Sequence, residues 1–238
     1  MTDFIFQHGA MMGGYVWDEL IAAMEQKAGE SIRCLALDVP GCGAKRGVDP
    51  RALSFDDIVA SQLADIDASG MSDVVLVGHS QGGTIVPRLV EARPGLFRKV
   101  IYIACLGPDP GQSVMEAAEA GDVPEDEPVA AATIMDRMIT MLCNDMDVPT
   151  TREFLARLGR GDAWPPSSYA ERDWRYDHLS DVPSTYIFCE QDNCVPPEKQ
   201  EAYLANLHID RVIRIDSGHQ PMNSRPGELA GLLLAEAG

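Results

Sequence analysis

The chain has 238 residues, 37 of them acidic and 19 basic, for a formal net charge of −18, with 45% hydrophobic and 24% charged residues. That length suits one α/β domain with a sizeable core, and the composition is that of a globular protein. The acidic balance argues against nucleic acid and anionic membranes as partners, because both are held by basic patches.

The chain enters Asp3-Phe4-Ile5-Phe6 almost at once, which leaves no room for a basic-then-apolar leader, and no apolar run approaches a membrane span. The six cysteines, at 34, 42, 105, 143, 189 and 194, lack metal-ligand spacing. Cys34, Cys105 and Cys189 fall in predicted strands, where cysteine acts as a small buried hydrophobe. A reduced, cytoplasmic protein is expected.

Strands are predicted at Phe4–His8, Ile32–Val39, Val74–Gly78, Val100–Cys105, Ser184–Cys189 and Arg211–Ile215. Most are short β-branched or aromatic runs without alternation, the pattern of parallel strands buried on both faces. Helical patterns lie between them at Tyr15–Gln26, Phe55–Asp67, Gly82–Ala92, Pro197–Leu207 and Gly227–Glu236. Ser54 with Asp57 reads as a capping pair, and Pro87 predicts a kink in the third helix. Alternation of this kind implies a mostly parallel sheet of about six strands flanked by helices.

From about Pro108 to Val182 the rhythm breaks. Helical patterns at Gln112–Ala120, Ala131–Asn144, Thr151–Leu158 and Ser168–His178 follow one another without a core strand. The reading is a core of residues 1–107 and 183–238, with 108–182 inserted after the fourth strand as a helical cap over the sheet's carboxyl edge, where ligands bind in open α/β folds. A second core layer packed elsewhere is the alternative. Within the cap, Ile134, Met138 and Met141 share one helical stripe, and Met135, Ile139 and Leu142 another. Met135, Met138 and Met141 are therefore candidate walls of a substrate pocket, methionine being adaptable in apolar sites, although packing alone gives the same pattern. Seven acidic residues, Asp109, Glu116, Glu119, Asp122, Glu125, Asp126 and Glu127, crowd the start of the cap with no lysine or arginine among them.

Chemistry concentrates at Val74-Val75-Leu76-Val77-Gly78-His79-Ser80-Gln81-Gly82-Gly83. An apolar strand ending in G-x-S-x-G before a helical segment is the layout of a nucleophile elbow, with side chains at 78 and 82 expected to clash across the turn. Ser80 then needs a base. His219, on a loop between the last strand and the final helix, can reach it. His79, inside the elbow, is a candidate pocket residue. The orienting acid should follow a strand between Ser80 and His219. Asp192 fits best; Asp109, after the fourth strand, is the rival, and Glu190 is directed differently.

His8-Gly9-Ala10, Gly13-Gly14-Tyr15-Val16-Trp17, the elbow, Asp192 and Gly218-His219 resemble the α/β-hydrolase superfamily, in particular its small esterases and hydroxynitrile lyases with a helical cap. The resemblance implies an oxyanion hole from the backbone N–H groups of Ala10 and Gln81. Lyases of this branch carry a threonine after the first histidine and a lysine after the catalytic one; this chain has Gly9 and Gln220.

The expected reaction is hydrolysis of small neutral, moderately hydrophobic carboxylic esters through an acyl-enzyme, with no metal or organic cofactor. Alternatives are C–C or thioester hydrolysis, or cyanohydrin cleavage, on the same residues. A small-molecule receptor with little turnover is another. The expected partner is the ester itself, with no nucleic acid or membrane and with a homodimer possible.

Overall fold

The computed structural model describes residues 1–119, 131–158 and 161–238. In chain order it contains β1 (Thr2–Gln7), α1 (Asp18–Ala28), β2 (Ile32–Ala36), α2 (Phe55–Ser69), β3 (Val74–His79), α3 (Val86–Ala92) and β4 (Phe97–Ile103). The insertion follows, with α4 (Val114–Glu119), α5 (Ala131–Leu142), α6 (Val148–Leu158) and α7 (Pro166–Ala170). Then come β5 (Ser184–Cys189), α8 (Pro197–Asn206), β6 (Arg211–Ile215), α9 (Pro221–Ser224) and α10 (Pro226–Glu236).

The strands form one parallel sheet in the order β2-β1-β3-β4-β5-β6. Strand alternation divides the apolar residues between two layers. Phe4, Phe6, Val75, Val77, Ile101 and Ile103 face α1 and α10, meeting Leu20, Met24, Leu229 and Leu233. Ile5, Val74, Leu76, Val100 and Tyr102 face the other way, onto Phe55, Ile58 and Ile66 of α2 and Leu89 of α3. Burying each such large side chain stabilises the fold by about 1.5–3 kcal/mol. Because both faces are covered, the central strands read as unbroken apolar runs. The edge strands β2 and β6 are partly exposed, unlike the expectation for fully buried strands, and Cys34 on β2 is only half-buried.

Ser54 and Asp57 form the anticipated reciprocal cap of α2. Two other expectations are corrected. No kink occurs within a helix at Pro87: residues Ser80–Thr84 form a 3₁₀ turn, and α3 starts afresh at Val86 with Pro87 in its first turn, where a missing N–H costs nothing. The helix predicted over Ser168–His178 stops at Ala170. There the Glu171 carboxylate accepts from the Arg172 and Asp173 N–H groups, competing with helical pairing. Trp174 and Tyr176 then run buried to the base of the insertion, where Trp174 Nε1 donates to Gln112 O and Tyr176 Oη to Pro108 O.

The chain leaves β1 for β2 on one side and returns to β3 on the other. The carboxyl ends of β1 and β3 therefore make the switch point at which open α/β sheets build their sites. Among the described residues no helix is long and apolar enough to cross a membrane.

Candidate active site

β3 delivers Ser80 at a turn whose strain is measurable. Ser80 has φ +52°, a conformation that costs a non-glycine residue of order 1–3 kcal/mol and persists only where the surroundings impose it. The surroundings do impose it. A Cβ at Gly78 would come 2.8 Å from the Val86 side chain, as expected across the turn. At Gly82 the obstacle is different from the one expected: a Cβ would lie 2.5 Å from the His8 carbonyl oxygen and 2.9 Å from that of Gln7. The glycine lets the elbow press against the loop leaving β1. Gly9 makes the reciprocal approach, since a Cβ there would be 2.8 Å from Ser80 Cβ.

His219 and Asp192 converge on Ser80 from the ends of β6 and β5. Ser80 Oγ lies 3.0 Å from His219 Nε2, and His219 Nδ1 lies 2.7 Å from Asp192 Oδ2. The other Asp192 oxygen accepts from the backbone N–H groups of Cys194 (2.7 Å) and Val195 (2.8 Å). That carboxylate is therefore oriented by its own loop. Burial pushes the fully buried His219 imidazole towards its neutral form. The Asp192 charge and hydrogen bond, reinforced by the neighbouring Cys194, outweigh burial and hold its pKa well above that of an ordinary histidine. The rival acid is elsewhere: Asp109 is exposed and accepts from Asn206 Nδ2. Glu190 is exposed as well.

The loop after β1 is held by its own backbone. The Gln7 amide donates to His8 O, His8 Nδ1–H donates to Gly9 O at 2.8 Å, and the Val39 N–H donates to His8 Nε2 at 3.1 Å. One ring nitrogen donates and the other accepts, which requires a neutral imidazole, and burial lowers the His8 pKa accordingly. Ala10 follows this fixed turn. Among the described residues neither its N–H nor that of Gln81 is spent on a protein acceptor. Among the same residues, no group of three His, Cys, Asp or Glu side chains is placed to hold a metal ion.

The predicted pocket residues fare differently. His79 is fully buried behind the base, its ring centroid 4.7 Å from that of His219, and its Nε2–H donates to His219 O at 2.9 Å. Burial, then the neighbouring His219 charge, keep it neutral. It backs the His219 ring and backbone rather than lining an open wall. Met135 and Met141 are 46% and 41% exposed and point to solvent. Met138 packs with Ile139, Leu142 and Met146 onto the layer that contains Phe154 and Leu158. The helix thus turns a different stripe inward from the two proposed. A groove of about 640 Å³ between α5 and α6 has Ile139, Cys143, Met146 and Leu155 in its walls, and none of the three methionines or of Ser80, Asp192 and His219. Of the seven acidic residues, Glu116 is committed to Ser113 and Arg172. Asp122, Glu125, Asp126 and Glu127 lie outside the described residues, as do the side chains of Glu119 and Ile134.

Sequence reasoning missed the groups that fasten the insertion. The Gln81 amide donates to Ser168 O and Oγ, both at 3.3 Å. The buried Asp162 carboxylate accepts from Tyr15 Oη (2.9 Å), the Gly43 N–H (2.8 Å) and Arg46. Asn144 and Asn193 join the insertion to the acid loop. Isolated polar residues between helices read as ordinary turn formers, so no spacing rule marks them.

A strained serine at the switch point of a parallel sheet, in line with a buried histidine and carboxylate from later strand ends, defines the class of α/β hydrolases. The chain belongs to the alpha/beta hydrolase family, whose model matches residues 4–232. It is 25% identical over 259 residues to polyneuridine aldehyde esterase of Rauvolfia serpentina, covering 97% of this chain and 94% of that protein. To methylesterase 7 of Arabidopsis thaliana it is 24% identical over 248 residues, with 97% and 94% covered. An extracellular α/β-hydrolase from a Paenibacillus species superposes with a TM-score of 0.81 at 19% identity, over 100% of this chain and 99% of that one.

Proposed function

We propose that the chain hydrolyses small, neutral, moderately hydrophobic carboxylic esters through an acyl-enzyme on Ser80. The observation that carries this reading is the line of contacts from Ser80 Oγ through His219 to Asp192, at 3.0 and 2.7 Å. His219 Nε2 takes the serine proton as Oγ attacks the ester carbonyl, and Asp192 stabilises the imidazolium that results. The oxyanion develops against the unspent N–H groups of Ala10 and Gln81, donors already fixed in place by the turn at His8 and by the elbow. His219 returns the proton to the leaving alcohol, and water repeats the sequence to release the acid. Two curated relatives named as esterases support ester hydrolysis as the reaction.

The lyase alternative is disfavoured by the same packing. A threonine in place of Gly9 would place its Cβ against Ser80 Cβ, and the fully buried Gln220 supplies no positive charge for a leaving cyanide. The test is initial-rate measurement on neutral aryl and alkyl esters of graded acyl length, with Ser80→Ala as control. Sustained turnover abolished in the variant is expected. One product molecule per site followed by arrest would favour a receptor, and no release of alcohol from any ester would defeat the reading.

A further inference from the structure

The corner between α5 and α6 touches both loops that carry the acid and the base. Asn144 Nδ2 donates to Gln191 O at 2.6 Å, and Gln191 immediately precedes Asp192. The Asn144 carbonyl oxygen lies against Gly218, immediately before His219, where a Cβ would overlap it; Asp145 Oδ1 would be 2.5 Å from that same Cβ. One carboxamide therefore meets the residue preceding the acid with its NH₂ and the residue preceding the base with its oxygen. Gln191 itself closes the figure, since its N–H donates to Ser217 O at 2.9 Å and its side chain to Asp216 at 3.0 Å.

The neighbouring contacts reinforce the clamp. Asn193, on the far side of Asp192, donates from Nδ2 to Thr140 O on α5 at 3.0 Å. Asp145 Oδ2 accepts from Ser224 Oγ at 2.7 Å, just beyond the base. The residues flanking Asp192 on both sides are thus tied to α5 and the turn after it, and the segment bearing His219 meets that turn at Gly218 before the imidazole and at Ser224, the end of α9, after it. Within the core, His79 holds the base loop through His219 O and Gln200 holds the acid loop through Val195 O, each one loop at a time, whereas the corner after α5 touches both loops at once.

We propose that Asn144 is a positioning residue for the acid–base pair: its carboxamide sets the spacing between the Gln191–Asp192 and Gly218–His219 segments, so that the insertion holds His219 in line with Ser80. This rests on the hydrolase reading above, because positioning matters only if His219 moves a proton. Displacements of about 1 Å at a catalytic group can cost on the order of 10²-fold in rate, and loss of one tether in a set should cost less.

The test uses Asn144→Ala, which removes both contacts, and Asn144→Asp, which keeps the shape but replaces the donor facing Gln191 O with an acceptor. Asn144 is exposed, so both variants are expected to fold, and Val148→Ala, at a 70% exposed site on the same corner, is the control. Expected are falls in kcat of about tenfold for both Asn144 variants with KM within twofold, and no change for the control. The low-field proton resonance of the His219–Asp192 hydrogen bond should broaden or vanish in both. Unaltered kcat with an unaltered resonance would overturn the proposal, and so would a loss confined to KM, which would make Asn144 a substrate contact. If the wild-type protein turns over no ester, the hydrolase reading fails, while the resonance still decides whether Asn144 holds the pair.

Discussion

The two halves of the site are built by opposite means. The elbow around Ser80 is fixed by contact repulsion: Gly9, Gly78 and Gly82 stand where no Cβ fits, and a positive φ at Ser80 leaves the backbone one arrangement. The half that carries Asp192 and His219 is fixed chiefly by hydrogen bonds, some within the loops and some from the insertion, with one close approach added at Gly218. Steric constraint is steep, so the elbow tolerates no enlargement. Hydrogen-bonded positioning is graded, and each bond carries only about 0.5–1.5 kcal/mol net. Substitutions should therefore act abruptly on the first half and by degrees on the second.

The largest effects come from removing the reacting groups, which belong to both halves at once. Ser80→Ala and His219→Ala should each lower ester turnover by on the order of 10⁴-fold or more, since members of such a unit do not act additively. Circular dichroism would establish folding. A folded Ser80→Ala protein with more than a tenth of wild-type activity would remove the nucleophile from the scheme.

Next is the acid. Asp192→Asn should cost about 10³–10⁴-fold, with Asp109→Asn near wild type. The pH profile sharpens the assignment. His219 must be neutral to act as base, and Asp192 holds its pKa well above the ordinary value, so kcat/KM should rise with pH through an elevated limb. In Asp192→Asn the charge is gone and burial remains, so the limb should move to lower pH. The stability sign is the reverse of the activity sign. With a raised folded pKa, the His219–Asp192 pair contributes fully below the unfolded-state value and is lost as pH rises through the folded one. A limb that stays in place on Asp192→Asn would mean that another group sets it.

Gly82→Ala probes the steric half alone. Its Cβ would have to displace the His8 and Gln7 carbonyls, and with them Ala10, so a loss of roughly 10²-fold in kcat is expected with the fold retained. A near-normal rate would show that the loop after β1 yields, and the contrast between rigid and graded halves would collapse.

Legibility in the sequence follows the same division. Constraints from repulsion leave residue-type signatures at fixed spacing, and G-x-S-x-G after an apolar strand marked the elbow at Ser80 and the sheet around it. The convergence of Asp192 and His219 on Ser80 was readable from chain order, since each follows a predicted strand. The insertion was not readable to the same depth. Its helices carry apolar residues on more than one stripe, and the contacts of Asn144, Asp162 and Ser168 join residues 47 to 147 positions apart with no local pattern. Where Glu171 competes for backbone N–H groups, apolar spacing even predicted a helix that ends early.

The smallest predicted effect tests the phase of α5. Met135 and Met141 are exposed, so Met135→Ala and Met141→Ala should change stability by within about 0.5 kcal/mol, as surface substitutions do. They should also leave kcat/KM unaltered across esters of increasing acyl length. Met138→Ala removes a side chain packed on the layer of Phe154 and Leu158, and being only partly buried it should cost less than the 2–5 kcal/mol of a fully buried methionine while exceeding either neighbour. Thermal or denaturant unfolding ranks the three. A selective loss on long-chain esters in Met135→Ala or Met141→Ala would mean that the helix presents those residues to substrate during turnover. The graded half of the site would then extend from the loops into the acyl pocket itself.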